Sequence, residues 1–166
     1  MYQKDYILRM IAMMMKFIGE LLGLIRKGEL QKASEVLEEG YRRFLREDAI
    51  FFRNIPEEKL TQTLLQEHNY TSGHLEVLAE LFNAEAELDL AQDSRKDSLE
   101  CSRKALLLFK FVDKEQKTYS AEKLDKIEAI RKRIEELSCK RSCNRAISTS
   151  RLFSLLLIKK NLTFLY

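Results

Sequence analysis

The sequence predicts an all-α fold of antiparallel helical hairpins, about six helices in all. Three observations carry that prediction. Only one Pro and five Gly occur in 166 residues. Apolar residues recur at three- and four-residue spacing along most of the chain, the period of a helix with one buried face. The breaks in that period, near Gly28, His68–Gly73 and Asp93–Asp97, are short and rich in turn-forming residues.

The first helix is expected over Asp5 to Lys27, ended by Gly28. At 100° per residue its large apolar side chains, among them Ile11, Ile18 and Leu22, cover an arc of about 200°. Asp5, Arg9, Lys16, Glu20 and Lys27 keep a polar stripe about 60° wide. So apolar a helix calls for partners on two or three sides, which makes it the expected hub of the fold. Ala12, Gly19 and Gly23 fall on one edge of the arc, where another helix is expected to approach closely. A second helix follows from Glu29 to Leu45, antiparallel to the first because the connection is short.

Residues 46–55 are less regular, with Phe51, Phe52 and Ile55 expected in the core. Pro56 opens a third helix that runs to Glu67, with Glu57 and Glu58 favourable at its positive N-terminus. Thr71 or Ser72 caps a fourth helix over Leu75–Gln92. The fifth covers Ser98–Glu115. Ser120 caps a sixth, to Leu137, whose Leu124, Ile127, Ile130, Ile134 and Leu137 form a narrow stripe. Such a stripe suits one-sided packing or a coiled-coil seam.

Charge divides the chain into two parts. Residues 138–166 hold six of the 29 basic residues and none of the 26 acidic ones, so 1–137 is mildly acidic and the tail basic. The division predicts a helical domain over 1–137 and a poorly ordered or loosely docked basic and apolar tail over 138–166. An acidic domain argues against nucleic-acid binding by the core, since phosphate contact needs a positive surface. Charges interrupt the N-terminal apolar run, unlike a signal-peptide core or a membrane span. Three cysteines, an odd count, read as reduced thiols in the cytoplasm.

Gly28-Glu-Leu-Gln-Lys-Ala33, followed by Leu37 and Gly40, resembles the tetratricopeptide repeat (TPR), in which small residues seven apart let paired helices pack closely. Ser98 and Ala105 repeat the Ala33–Gly40 spacing 65 residues later, close to two repeats of about 34. Ser102 replaces the large residue of the repeat, and Glu20 and Glu85 stand where it usually has Leu. The opening Met1-Tyr-Gln-Lys-Asp-Tyr-Ile-Leu-Arg-Met-Ile11 resembles a family of short uncharacterised bacterial helical proteins, a domain of unknown function. These resemblances imply TPR-like stacking into an α-α superhelix and carry over no functional residue.

Candidate binding residues lie on the fourth helix. Glu85 projects into an apolar face of Leu75, Leu78, Leu81, Phe82 and Leu88, where a carboxylate must pair, rise in pKa or reach solvent. It reads either as a structural ion pair, with Arg103 for example, or as part of a binding site. Glu76, Glu80, Asn83 and Glu87 line another side. That strip reads either as a solvated face or, through the TPR resemblance, as a groove for a basic peptide. Met10, Met13, Met14 and Met15 read as core or as an adaptable surface. His68 with His74, and Cys139 with Cys143, fall short of the four convergent ligands of a structural metal site. No Gly-rich phosphate loop or nucleophile elbow occurs, so no catalytic residue, metal or cofactor is assigned.

The sequence therefore favours a non-catalytic binding module for an unknown protein or peptide. The alternative is a structural subunit that self-associates through the 124–137 stripe. A third reading attaches the chain to a membrane surface or nucleic acid through its basic tail.

Overall fold

The computed structural model describes residues 2–116 and 121–139. All of its regular structure is helical: α1 (Tyr2–Arg26), α2 (Leu30–Leu45), α3 (Ala49–Asn54), α4 (Leu60–Gln62), α5 (Ser72–Ala91), α6 (Arg95–Gln116) and α7 (121–139). The expected Ser120 cap and the tail from residue 140 onward lie outside the described residues. Among the described residues, no helix is long and apolar enough to cross a membrane.

The hub is α5, not α1. Thirteen of the twenty residues of α5 are buried, the mark of a helix enclosed on every side. It packs against α1, α2 and α6. α1 covers only one side of this assembly. Met10, Met14, Phe17, Ile18 and Leu21 are buried, whereas Ile11 and Leu22 are half-buried and Tyr6, Leu8, Met13 and Met15 face solvent. The methionine group thus divides into two core and two surface residues. An apolar arc about 200° wide suggested a central helix, but the chain folds with much of that arc uncovered.

Two glycines set how closely α1 approaches its neighbours. A Cβ on Gly40 of α2 would lie 2.6 Å from the ring of Phe17, and one on Gly73 of α5 would lie 2.4 Å from Cγ2 of Ile7. Ala33, Ser98 and Ala105 are fully buried, as the expected close helix pairing requires. The Ser98 hydroxyl donates to the Ala86 carbonyl at 2.7 Å, tying α6 to α5.

The turns follow local chemistry. Gly28 adopts φ +76°, which an L side chain rarely tolerates, and ends the first hairpin arm. α2 stops at Arg46, in the left-handed region at φ 59°. The irregular 46–55 segment contains the short helix α3, with Phe52 and Ile55 buried. The expected third helix is broken into three. Pro56 starts a 3₁₀ turn (Glu57–Lys59), then comes the single α-turn of α4, then a π-turn (Thr63–Glu67). The π-turn closes where the His68 N–H donates to the Thr63 carbonyl and the Tyr70 N–H to that of Leu64. The wider coil keeps Leu60 and Leu64 buried. Thr71 is the N-cap of α5, and its backbone N–H donates to His74 Nδ1 at 3.3 Å.

The glycine contacts separate two substitutions. Gly73→Ala is expected to cost about 1–3 kcal/mol through the clash with Ile7. Gly23→Ala, whose Cβ would meet nothing within 4 Å, is expected to gain about 0.5–1 kcal/mol from helix propensity. Urea midpoints of the two variants against the parent chain check both signs.

Candidate functional site

α5 carries the predicted residues on opposite sides. Glu76, Glu80, Asn83 and Glu87 recur at four, three and four residues and so share one strip of a helix. Glu85 lies about 180° away from that strip.

The strip is covered by α7. Lys123 Nζ stands 2.7 Å from Glu76, and Lys126 Nζ 2.7 Å from Glu80. Arg133 pairs with Glu87 and donates to Asn83 Oδ1 at 3.0 Å. The partners run in step at an offset of 46–47 residues, so α7 lies parallel to α5. Ile127 and Ile130 are buried beneath it, and Ile134 is half-buried. The stripe expected to mediate self-association therefore spends its central side chains inside its own chain. Burial raises the Glu80 carboxyl above its ordinary range, and the Lys126 ammonium opposes that rise. Each ion pair across this seam is partly shielded from water, so its attraction is stronger than in an exposed pair and each charge also bears a desolvation cost.

Glu85 faces α2 and α3. It accepts hydrogen bonds from the Tyr41 hydroxyl and from Arg53 Nε. Arg103, the expected partner, is exposed; the cation comes from α3, whose irregular surroundings hid it. Arg53 also reaches Glu38 at 3.0 Å, joining α2, α3 and α5 through one guanidinium. Burial pushes the Glu85 carboxyl up, with Arg53 and Tyr41 opposing. Burial, reinforced by Glu85, pushes the Tyr41 phenol well above its ordinary value. Lys104 is nearly completely buried, and its Nζ donates to the Arg53 carbonyl at 2.6 Å. A cation there satisfies the last carbonyls of α3 and lies 5.7 Å from the centre of the Phe82 ring.

Beside Glu85, a cavity of about 420 Å³ is lined by Arg53, Asp89, Asp97, Glu100, Cys101 and Lys104, among others. Donor atoms of Glu85, Asp89 and Cys101 lie within 4.8 Å of one another. This grouping fits a protonated cluster better than a metal centre. Glu85 is already committed to Arg53, Lys104 adds a second cation to the lining, and burial raises the Cys101 thiol away from the thiolate a metal needs. Asp89 Oδ2 is buried without a hydrogen-bond partner. Burial, then the charges of Glu85 and Asp97, push that carboxyl up to about 7. The His74 Nδ1 accepts from the Thr71 backbone N–H.

Tyr41, Arg53, Asp89, Cys101 and Lys104 were not singled out by sequence. Tyr41 sits in the apolar stripe of α2 and Cys101 and Lys104 on the buried side of α6, so each reads as an ordinary helical position. No local pattern marks Arg53.

Two substitutions probe these carboxyls. Arg53→Met leaves Glu85 buried without its cation, at a cost towards the lower end of about 3–5 kcal/mol, since Arg53 is partly exposed. With its folded pKa raised further, Glu85 takes up a proton as pH falls, so the penalty relative to the parent chain is smaller at pH 5 than at pH 8. Asp89 has a folded pKa of about 7 against an ordinary 3.8, so the folded state holds a proton that the unfolded chain has released. Its contribution to stability is present below pH 4 and is lost as pH rises to about 7. Asp89→Asn should flatten that fall and stabilise the chain at pH 8 by about 1–2 kcal/mol, after discounting for solvent screening. Urea unfolding at both pH values reads out both variants.

Comparison of the chain with protein-family models, with curated proteins and with solved structures returned no match.

Proposed function

We propose that this chain is a non-catalytic scaffold of stacked, TPR-like helical hairpins that binds a basic amphipathic helix of a protein or peptide along the acidic strip of α5. One observation supports this reading above the others. The strip of Glu76, Glu80, Asn83 and Glu87 has an occupant, α7, which presents Lys123, Lys126 and Arg133 around buried Ile127 and Ile130. An amphipathic helix laid on a complementary surface is a common mode of peptide recognition. α7 is attached on one side only, with Leu124 exposed, so its hold on α5 is the weaker of the two faces of the hub.

A labelled peptide of residues 121–139 tests the reading. It is expected to bind the full chain carrying Lys126→Glu and Arg133→Glu, which loosens the resident helix while leaving α5 intact. Binding to the parent chain, whose strip is filled, is expected to be at least about tenfold weaker. Both affinities should fall with added salt. A peptide that binds neither chain in fluorescence anisotropy refutes the proposal.

A further inference from the structure

The solvent face of α1 is organised in a way that neither the core nor the α5 strip uses. Leu8, Ile11, Met15, Gly19 and Leu22 fall within an arc of about 80°. Leu8 is 59% exposed and Met15 36%, and a Cβ on Gly19 would meet nothing within 4 Å. Ala12, also exposed, stands seven residues before Gly19. Large residues at 8, 15 and 22 thus alternate with small ones at 12 and 19; Leu8, Ala12, Met15 and Gly19 are exposed, and Leu22 is half-buried at the margin with the core.

A charged strip runs along one edge of this face: Asp5, Arg9, Lys16, Glu20 and Lys27. Among the described residues none of Asp5, Arg9 and Glu20 enters an ion pair. Four of these five charges answer one another with opposite sign about Met15, and the fifth, Lys16, stands beside the centre and answers itself. An acid ten residues before it answers a base twelve residues after it, and a base six before answers an acid five after.

We infer that the exposed face of α1 is a twofold, antiparallel docking surface for α1 of a second copy of this chain, centred beside Met15. In that arrangement Leu8 stacks on Leu22 of the second copy, Ala12 on its Gly19, and Met15 on its Met15. The small residues let the two backbones come close, and the large ones fill the layers between. In an antiparallel pair, the same edge of each helix meets across the twofold axis. Arg9 therefore faces Glu20 of the second copy, and Asp5 faces its Lys27, each twice, while Lys16 meets Lys16 beside the axis, one like-charge contact against four attractive ones. A parallel twofold pairing would set the charged edge of each helix against the opposite edge of its partner, and these four attractive contacts would be lost. An anionic lipid surface is a poorer match, because Asp5 and Glu20 border the same apolar face. This surface is independent of the α5 strip, and a dimer formed through it leaves α7 undisturbed.

Sedimentation velocity of the full chain over a range of concentrations tests the inference. The parent chain is expected to dimerise, less tightly as salt rises. Arg9→Glu and Glu20→Arg are each expected to weaken the dimer about tenfold, because each replaces two attractive contacts by two repulsive ones. The double variant Arg9→Glu/Glu20→Arg restores the pairing and should return to within about threefold of the parent. Met15→Asp replaces the apolar contact on the axis with two carboxylates that dimerisation would take out of water, and should give a monomer. All three positions lie on the outside of the fold, and circular dichroism confirms that each variant is folded. A parent chain that stays monomeric at every concentration overturns the inference. So does a dimer that the single reversals leave unchanged, or a double variant no tighter than the singles. Flotation with vesicles containing phosphatidylserine, lost in Met15→Asp while the parent chain remains monomeric, assigns the face to a membrane and overturns it as well.

Discussion

The fold is governed by one constraint: its most enclosed helix carries carboxylates on both sides. Glu76, Glu80 and Glu85 of α5 are all buried, and an ionised carboxylate removed from water needs a cation or a set of donors to remain charged. α5 cannot supply them, because its own sequence from Ser72 to Ala91 contains no Lys or Arg. The cations must come from other helices. Arg53 of α3 serves Glu85, while Lys123, Lys126 and Arg133 of α7 serve the opposite strip. Apolar burial decides that α5 is central, and desolvation decides which elements surround it and at what register. Burying apolar surface is non-directional; the ion pairs fix which side of each neighbour turns inward.

That division explains what could and could not be read from the sequence. The long helices were legible because they depend on local signals: the three- and four-residue apolar period, the glycine at 28, the cap at Thr71. The short turns between residues 49 and 67, which tertiary packing shapes, were not. The rank of the helices was not. α1 is richer in large apolar side chains than α5, yet α1 lies outside and α5 inside. On α5 the glutamates interrupt the apolar pattern and make a helix buried all round look half-solvated. Hydrophobicity along one helix reports how much surface it would gain by burial. It does not report whether other helices carry the charges that make the polar remainder buriable.

The candidate residues show the same limit. Glu85 was conspicuous because it breaks an apolar face, and the structure gives that break a partner in Arg53. The pairing joins residues 32 positions apart, and nothing near residue 53 announces it: Phe51, Phe52 and Ile55 point to a core segment and Arg53 sits among them. The strip of Glu76, Glu80, Asn83 and Glu87 did have a signal elsewhere in the chain. Lys123, Lys126 and Arg133 repeat its helical spacing at an almost constant offset, and Ile127 and Ile130 supply the apolar seam between them. Only by comparing two helices, rather than reading each alone, does the match become visible.

The two faces of the hub also differ in how far they commit the chain. On the Glu85 side, three elements converge on one carboxylate, and Tyr41, Phe52 and Phe82 close around it with ring centres 5.7 and 6.1 Å from Tyr41. Opening that side exposes aromatic surface and strands a buried charge together, so it is opened only with the fold. On the α7 side, three ion pairs and two buried isoleucines hold a helix whose other flank is polar. Losing that helix returns the carboxylates of α5 to water instead of stranding them, because their cations leave with the surface that covered them. Under the proposed function, salt and competing basic helices act on this second side. On that same proposal, α7 is an exchangeable cover over a fixed core, and the α5–α7 seam, rather than the cavity beside Asp89, is where another molecule binds.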